Sequence, residues 1–152
     1  MSKRPFETKF QGPEQSPGYL LWQVNQTWHR NISKALKPLD LTHPQFVLLA
    51  GCAWLTTPNQ KELAHFCNVD INVVSQVIRA LEKRCLVTRE YLRDERSKCV
   101  RLTLSGQRLI RKAMPIIEKV DQDFFDILAG QQKKFTDCLF RLYRFQDRFI
   151  RS

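Results

Sequence analysis

Polar side chains that can hydrogen-bond to nucleic acid are concentrated in two stretches of this sequence, residues 71–79 and 93–98. They are Asn72, Ser75, Gln76 and Arg79 in the first stretch and Arg93, Asp94, Arg96 and Lys98 in the second. Amide, hydroxyl and guanidinium groups bond to base edges, and Arg and Lys also bind backbone phosphates. Lys61 is a further candidate phosphate contact because it lies at a predicted helix start, where the backbone attracts anions. These residue types make both stretches candidate DNA-binding segments.

The overall charge agrees with an anionic partner. The 152 residues carry a formal net charge of +10, with a pI of about 9.7. Such a charge concentrates polyanions near the protein and speeds their approach. The alternative interpretation is a solvated basic face that binds nothing in particular.

The histidines, acidic residues and glycines form no catalytic or metal-binding motif. His29, His43 and His65 do not form an HExxH motif, and the five glycines form no phosphate-binding loop. His65 and Cys67 are two residues apart and would point to different faces of a helix, which argues against a zinc site. The carboxylates of one predicted surface helix are expected to be solvated: Asp121, Asp123 and Asp126. We therefore expect no enzyme activity, no cofactor and no metal ion.

The location of the protein is predicted from its apolar segments and cysteines. The N-terminal stretch has no apolar segment typical of a signal peptide, and the apolar run at residues 46–55 is too short to span a bilayer. The five cysteines contain no CxxC pair, which favours reduced thiols in the cytoplasm. They are interpreted as buried structural thiols, and Cys99, on a stretch expected to be exposed, is the candidate for oxidation.

Composition and hydrophobic periodicity divide the chain into four segments. Residues 1–16 are polar and rich in Pro, Gly, Ser and Gln, which predicts a flexible arm. Residues 17–40 contain an amphipathic helix that ends near Pro38. Residues 41–104 contain three short helices and a hairpin, and residues 105–152 contain two further helices.

Capping signals place the three short helices. Thr42 with Gln45, and Asn59 with Glu62, have the spacing of capping boxes, and Asp70 is a predicted N-cap. The first of these helices is apolar on nearly every side and is expected to be central and buried. The second and third are separated by a tight turn, which is typical of a helix-turn-helix.

After Leu86 the hydrophobic period changes to that of an antiparallel hairpin with a polar bend. A helix-turn-helix followed by a hairpin is a winged helix, whose second helix enters the major groove. The hairpin reaches a minor groove, where we expect Arg96 to insert and Asp94 to orient it. Arg93 and Lys98 are expected to lie against phosphates.

Residues 17–110 resemble the MarR family of bacterial transcription regulators. The motifs that carry the resemblance are "LTHPQFVLL", "QKELAHFCNVDINVVSQVIRALEKRCLV" and "DERSKCVRLTLSG". The last fits the wing pattern of the family at Asp94, Arg96, Val100, Leu102 and Thr103, with Gly106 following. By position, Asn72, Ser75 and Gln76 match the groove-facing part of the recognition helix. Cys85 stands where the family commonly has glycine, and Arg79 stands where an acidic residue is common.

The resemblance implies a mainly α fold with a small β-wing, in which N- and C-terminal dimerisation helices flank a winged helix-turn-helix. It implies a homodimer on a roughly palindromic operator, and repression relieved by a small ligand or by thiol oxidation. The terminal helices carry more aromatic residues than a lone helix pair can bury: Trp22, Trp28, Phe124, Phe125, Phe140 and Phe149.

In the family, ligands bind between the dimerisation helices and the winged helix. The residues expected to line such an effector pocket for a small aromatic acid are Trp22, His29, His43 and Phe46. The alternative is that these aromatic residues only pack in the core.

The sequence therefore favours a dimeric, sequence-specific double-stranded DNA-binding transcription regulator, expected to be a repressor with no membrane partner. Two other classes stay open at this point. One is a protein-interaction module that uses a winged helix as a scaffold, since fold does not dictate function. The other is a nonspecific DNA-binding protein.

Overall fold

Six α-helices and one β-hairpin lie within residues 5–91 and 98–149, the part of the chain that the computed structural model describes. Their bounds are α1 Pro17–Leu36, α2 His43–Leu55, α3 Gln60–Cys67, α4 Ile71–Lys83, β1 Val87–Tyr91, β2 Lys98–Leu102, α5 Leu104–Phe125 and α6 Gln132–Phe149. The mainly helical fold with a two-stranded wing is confirmed. None of the described helices is both long enough and apolar enough to cross a membrane.

The predicted helix starts are confirmed by their hydrogen bonds. The side chain of Thr42 accepts from the backbone of Gln45, and the Gln45 side chain accepts from the backbone of Thr42. Asn59 and Glu62 make the same reciprocal pair at α3, and Asp70 accepts from the backbone of α4. Each cap satisfies amide groups that the helix leaves unpaired and contributes about 1 kcal/mol.

Helix α2 lies at the centre of the core, as its composition predicts. Leu48, Leu49 and Cys52 are almost completely buried, and α2 contacts α1, α3, α4, α5 and β2. The exception is its last turn, where Trp54 is exposed. Burial of these side chains supplies the hydrophobic stabilisation that holds the helices of the winged domain together.

The end of α4 sets the direction of the wing. The backbone N–H of Leu86 donates to the carbonyl of Leu81, and the N–H of Cys85 donates to that of Glu82, which is a Schellman motif. Cys85 has φ 54°, in the left-handed region that glycine adopts without strain. The Thr103 hydroxyl then donates to the carbonyls of Cys85 and Leu86, so the start of α5 is fixed to the same turn.

Gly106 is required by the close approach of α5 to this turn. A Cβ atom at this position would lie 2.1 Å from the carbonyl oxygen of Leu86. Because this oxygen belongs to the backbone, it cannot rotate away to relieve the clash. The wing motif therefore ends in glycine because α5 packs directly against the C-terminal turn of α4.

The wing is an antiparallel hairpin with a third, short attachment. Its register pairs Val87 with Leu102, and an isolated bridge joins Asn59 to Cys99. The Val100 N–H donates to the Pro58 carbonyl, 2.8 Å away. Because the segment before α3 covers this side of β2, Cys99 is only 2% exposed, and the expectation that it is exposed on the wing was wrong.

Helices α1 and α5 pack together, whereas α6 stands apart from the core. The indole N–H of Trp28 on α1 donates to Asp121 of α5, so Asp121 is not simply solvated as expected. Residues 132–145 of α6 contain no buried side chain. Phe135 of α6 packs against Phe125 at the end of α5, with ring centroids 5.8 Å apart, whereas Leu139, Phe140, Leu142 and Tyr143 further along α6 are exposed.

Candidate nucleic-acid interface

One face of α4 packs into the core and the other carries the predicted base contacts. Val74, Ile78 and Leu81, spaced three or four residues apart, are completely buried. Asn72, Gln76 and Arg79 are exposed on the opposite side. The 3.6-residue helical period therefore presents the polar side chains together, as a recognition helix requires.

Ser75, the fourth predicted base contact, lies differently. It is half-buried, and its Oγ donates to Oε1 of Gln60 at the start of α3, 2.6 Å away. The sequence gives no signal for this bond, because its two residues lie 15 positions apart on different helices. Gln60 is therefore a further candidate residue of this surface, one that sequence reasoning missed.

Arg79 lies along the helix toward its N-terminus. Its Nε donates to the backbone carbonyl of Ser75, 3.1 Å away. This bond leaves the two Nη groups to donate to phosphates or bases. Asn72, Gln76 and Arg79 line a shared concavity with Arg89 and the last turn of α4.

Arg89 and Glu82 connect the recognition helix to the wing. Arg89 Nε on β1 donates to Glu82 Oε2 on α4, 3.0 Å away. The hydrogen bond from Arg89 holds the pKa of Glu82 below its ordinary value, against the opposing effect of burial. The guanidinium of Arg89 thus compensates a carboxylate that would otherwise repel DNA phosphates.

Two of the predicted phosphate contacts are exposed on neighbouring elements. Lys61 lies in the first turn of α3, where the positive end of the helix adds to its charge. Lys98 begins β2, and its ammonium lies 5.1 Å from the centre of the Tyr91 ring, a cation–π arrangement. The other predicted wing residues, Arg93, Asp94 and Arg96, lie outside the described residues.

A second candidate site is a cavity of about 480 Å³ where α1, α2 and the end of α4 meet. Its lining comprises His29, Ser33, Lys37, Asp40, Leu41, Thr42, His43, Pro44, Gln45 and Arg84. His29 and His43, two of the four residues expected in an effector pocket, lie together here, with ring centroids 4.7 Å apart. Trp22 is 57% exposed and Phe46 is 7% exposed, and neither lines this cavity.

The imidazole of His43 is held toward its neutral form. Burial lowers its pKa, and repulsion from His29 lowers it further, while Asp121 acts in the opposite direction. Trp28 packs edge-on against the same ring, with centroids 5.3 Å apart. At neutral pH the permanent positive charges of this cavity therefore come from Lys37 and Arg84.

Arg84 ties the recognition helix to the junction of α1 and α2. Its Nη1 donates to the backbone carbonyl of Asp40, 2.6 Å away, and to Oε1 of Gln45, 3.4 Å away. Its Nη2 lies 3.5 Å from the Asp40 carboxylate. Any group that competes for this guanidinium therefore acts directly on the last turn of α4.

The cysteines divide into inert and exposed thiols. Burial raises the pKa of Cys52 to about 12, with a smaller contribution from Cys67, and burial also raises the pKa of Cys67. Such thiols stay protonated and are poor nucleophiles. Cys85 and Cys138 are exposed, in contrast to the expectation that the cysteines other than Cys99 are buried structural thiols. Within the described residues no three His, Cys, Asp or Glu side chains are placed to hold a metal ion.

Several known proteins are similar to this chain. The profile of the MarR family matches residues 41–98, from the start of α2 to the start of β2. The HTH-type transcriptional regulator YdcH of Bacillus subtilis is 45% identical over 134 residues, covering 85% of this chain and 89% of the relative. The HTH-type transcriptional repressor Rv2887 of Mycobacterium tuberculosis is 32% identical over 127 residues, covering 82% of this chain and 91% of the relative.

Solved structures of Rv2887 have the same fold. Its complex with salicylic acid matches with a TM-score of 0.69 and 32% identity, over 84% of this chain and 96% of that one. Its complex with DNA matches with a TM-score of 0.70 and 30% identity, over 84% of this chain and 97% of that one.

Proposed function

This chain belongs to the MarR family of DNA-binding transcription regulators, and we propose that it represses transcription as a homodimer bound to a two-fold symmetric operator. The observation that most directly supports this proposal is the exposed polar face of α4 beside a basic wing. A regulator of this kind acts on chromosomal DNA, so we place it in the cytoplasm.

In this proposal α4 enters the major groove, where each base pair presents a distinguishable pattern of donors and acceptors. Asn72, Gln76 and Arg79 face the bases, because they are exposed along one side of the helix. Lys61 and Lys98 bind phosphates on either side. Outside the described residues, Arg93 adds a phosphate contact, and Arg96, oriented by Asp94, enters the minor groove.

The homodimer is inferred from apolar surface that this chain leaves exposed. The exposed large apolar side chains of α1 and α6 are Tyr19, Leu20, Leu21, Trp22, Val24, Leu139, Phe140, Leu142, Tyr143 and Phe145. Exposed apolar area of this extent is typical of a protein–protein interface. A second copy presents the same two helices, so a two-fold axis would cover both faces at once.

The two-fold axis of the dimer predicts the spacing and symmetry of the operator half-sites. Two symmetry-related α4 helices on one face of a duplex contact half-sites about one helical turn, or about 10 base pairs, apart. The operator sequence is then an inverted repeat, since each half-site meets the same side chains.

The effector is inferred to be an aromatic carboxylate bound in the cavity between α1, α2 and α4. Lys37 and Arg84 supply positive charge, and Leu41 and Pro44 supply apolar surface for a ring. The relative Rv2887 has been solved with salicylic acid. A carboxylate in this cavity would compete with Asp40 for Arg84 and so loosen the end of α4 from the junction of α1 and α2.

Selection of bound fragments from a pool of random duplexes tests the proposed function. We expect the purified full-length chain to enrich one inverted repeat, and to sediment as a dimer both alone and on that DNA. Enrichment without any shared motif would favour a nonspecific DNA-binding protein. Failure to retain any DNA would favour a protein-interaction module, and either result would contradict the proposal.

A further inference from the structure

We propose that Gln60 determines base specificity by fixing the direction in which the Ser75 hydroxyl can hydrogen-bond. The Ser75 Oγ donates its proton to Gln60 Oε1 over 2.6 Å, so the hydroxyl can offer only its lone pairs to a base. The operator then carries adenine or cytosine on the strand that Ser75 contacts. This inference rests on the proposed role of α4 in the major groove.

The chemistry follows from the number of protons on a hydroxyl. Serine has one proton to donate and two lone pairs to accept with, so a proton given to Gln60 cannot also reach a base. In the major groove adenine N6 and cytosine N4 are donors, whereas guanine O6 and N7 and thymine O4 are acceptors. A guanine or thymine at this position would place a hydrogen-bond acceptor opposite the lone pairs of Ser75, so the two could not form a hydrogen bond.

The start of α3 holds Gln60 in place for this role. The Asn59 side chain accepts from the backbone of Lys61 and Glu62, at 2.9 and 3.0 Å, which fixes Gln60 as the first residue of the helix. Gln60 is half-buried and spans from this turn to α4. With Oε1 occupied by Ser75, its Nε2 group keeps two protons that can donate to a phosphate at the helix N-terminus.

Arg79 contacts the backbone of Ser75 on the same helix. Its Nε bonds to the backbone carbonyl of Ser75. Ser75 therefore lies between an amide oxygen on α3 and a guanidinium on its own helix. Gln60 acts here as a positioning residue, since its effect on the base passes through the hydroxyl of Ser75.

Base-substituted operators test this inference. At each position of the selected half-site all four bases are compared by equilibrium binding, using the full-length dimer. We expect one position where wild type favours adenine or cytosine by about fivefold or more over guanine or thymine, the scale of one lost base contact. In Ser75→Ala this preference should shrink to less than twofold, while Ser105→Ala, an exposed hydroxyl change on α5, should leave it intact.

Two substitutions of Gln60 distinguish its proposed role in positioning the Ser75 hydroxyl from a purely structural role. Gln60→Leu keeps a side chain of similar size but removes the acceptor, so the freed proton of Ser75 should let guanine and thymine bind as well as adenine and cytosine. Gln60→Glu keeps an acceptor, so the preference should persist while affinity for every sequence falls, because the carboxylate repels phosphate. Circular dichroism checks that both variants are folded.

The outcomes distinguish this inference from the proposed function. A selected operator whose base preferences are unchanged in Ser75→Ala, or a Gln60→Leu variant that keeps the adenine and cytosine preference, would overturn the inference and leave the regulator function standing. A wild-type chain that selects no sequence would overturn both.

Discussion

The indole Nε1 of Trp28 donates a 2.7 Å hydrogen bond to Oδ1 of Asp121, which joins α1 to α5 across 93 positions of sequence. The same indole packs against His43 at the start of α2, and His43 packs against His29. Helix α1, part of the proposed dimer interface, therefore shares one cluster with α5 and with the first helix of the winged domain. A substitution in this cluster is therefore expected to affect both the proposed dimer interface and the winged domain.

Replacing Trp28 by Phe should destabilise the fold. The substitution keeps an aromatic ring but removes the N–H, so Asp121 loses a partner at a half-buried site. Loss of a hydrogen bond to a charged group costs about 1–3 kcal/mol, measured as the free energy of unfolding in urea. Trp54→Phe is the matched control because Trp54 is exposed, and equal stability of the two variants would contradict the role of the bond.

The neutral His43 should make the protein less stable in mild acid. Its pKa is lowered in the folded state, so below about pH 6.5 the unfolded chain binds a proton that the folded chain resists. Stability is complete above the ordinary histidine pKa and falls as the pH drops toward the lowered value. As the pH is lowered from 7.5 to 5, the melting temperature should decline less steeply in His43→Asn than in wild type. If the melting temperatures of the two proteins declined in parallel, His43 would not be the cause of the acid sensitivity.

Arg84→Gln should weaken the binding of an aromatic carboxylate. Salicylate is the probe, and its affinity, measured by calorimetry, should fall at least about tenfold, because a charge-assisted hydrogen bond is lost from the cavity. Lys119→Gln removes a surface charge of the same sign on α5 and should leave the affinity unchanged. Equal salicylate binding by wild type and Arg84→Gln would show that the ligand binds elsewhere.

Arg96→Ala should weaken operator binding strongly. Loss of a good base contact costs about 1–3 kcal/mol, and loss of a minor-groove arginine should be of similar size. Fluorescence anisotropy on the selected operator measures the change at fixed salt, since phosphate contacts make affinity depend on ionic strength. An unchanged affinity would refute the assignment of the wing contact.

Local signals were sufficient to predict the helix starts and the hairpin. Capping boxes such as Thr42 with Gln45 act within one turn, so residue spacing alone identifies them. The wing motif was also recognisable, and the structure supplies the reason for Gly106, where a side chain would strike the carbonyl of Leu86.

Contacts between distant segments could not be predicted in this way. The burial of Cys99 depends on its bridge to Asn59, 40 positions earlier, and strand alternation alone does not show that neighbour. The same holds for the Gln60 acceptor of Ser75 and for the Arg84 contacts with Asp40. Each depends on how two separate segments of the chain pack, and no periodicity within either segment encodes that packing.

The spacing of the two half-sites tests the arrangement of the dimer most directly. Affinity is measured on operators in which 5 or 10 base pairs are inserted at the centre of the selected inverted repeat. Because the two α4 helices are fixed on one face of the duplex about one turn apart, an insertion of 5 base pairs should reduce affinity to that of a single half-site. If neither insertion changed the affinity, this result would contradict a dimer that holds its two recognition helices at a fixed spacing.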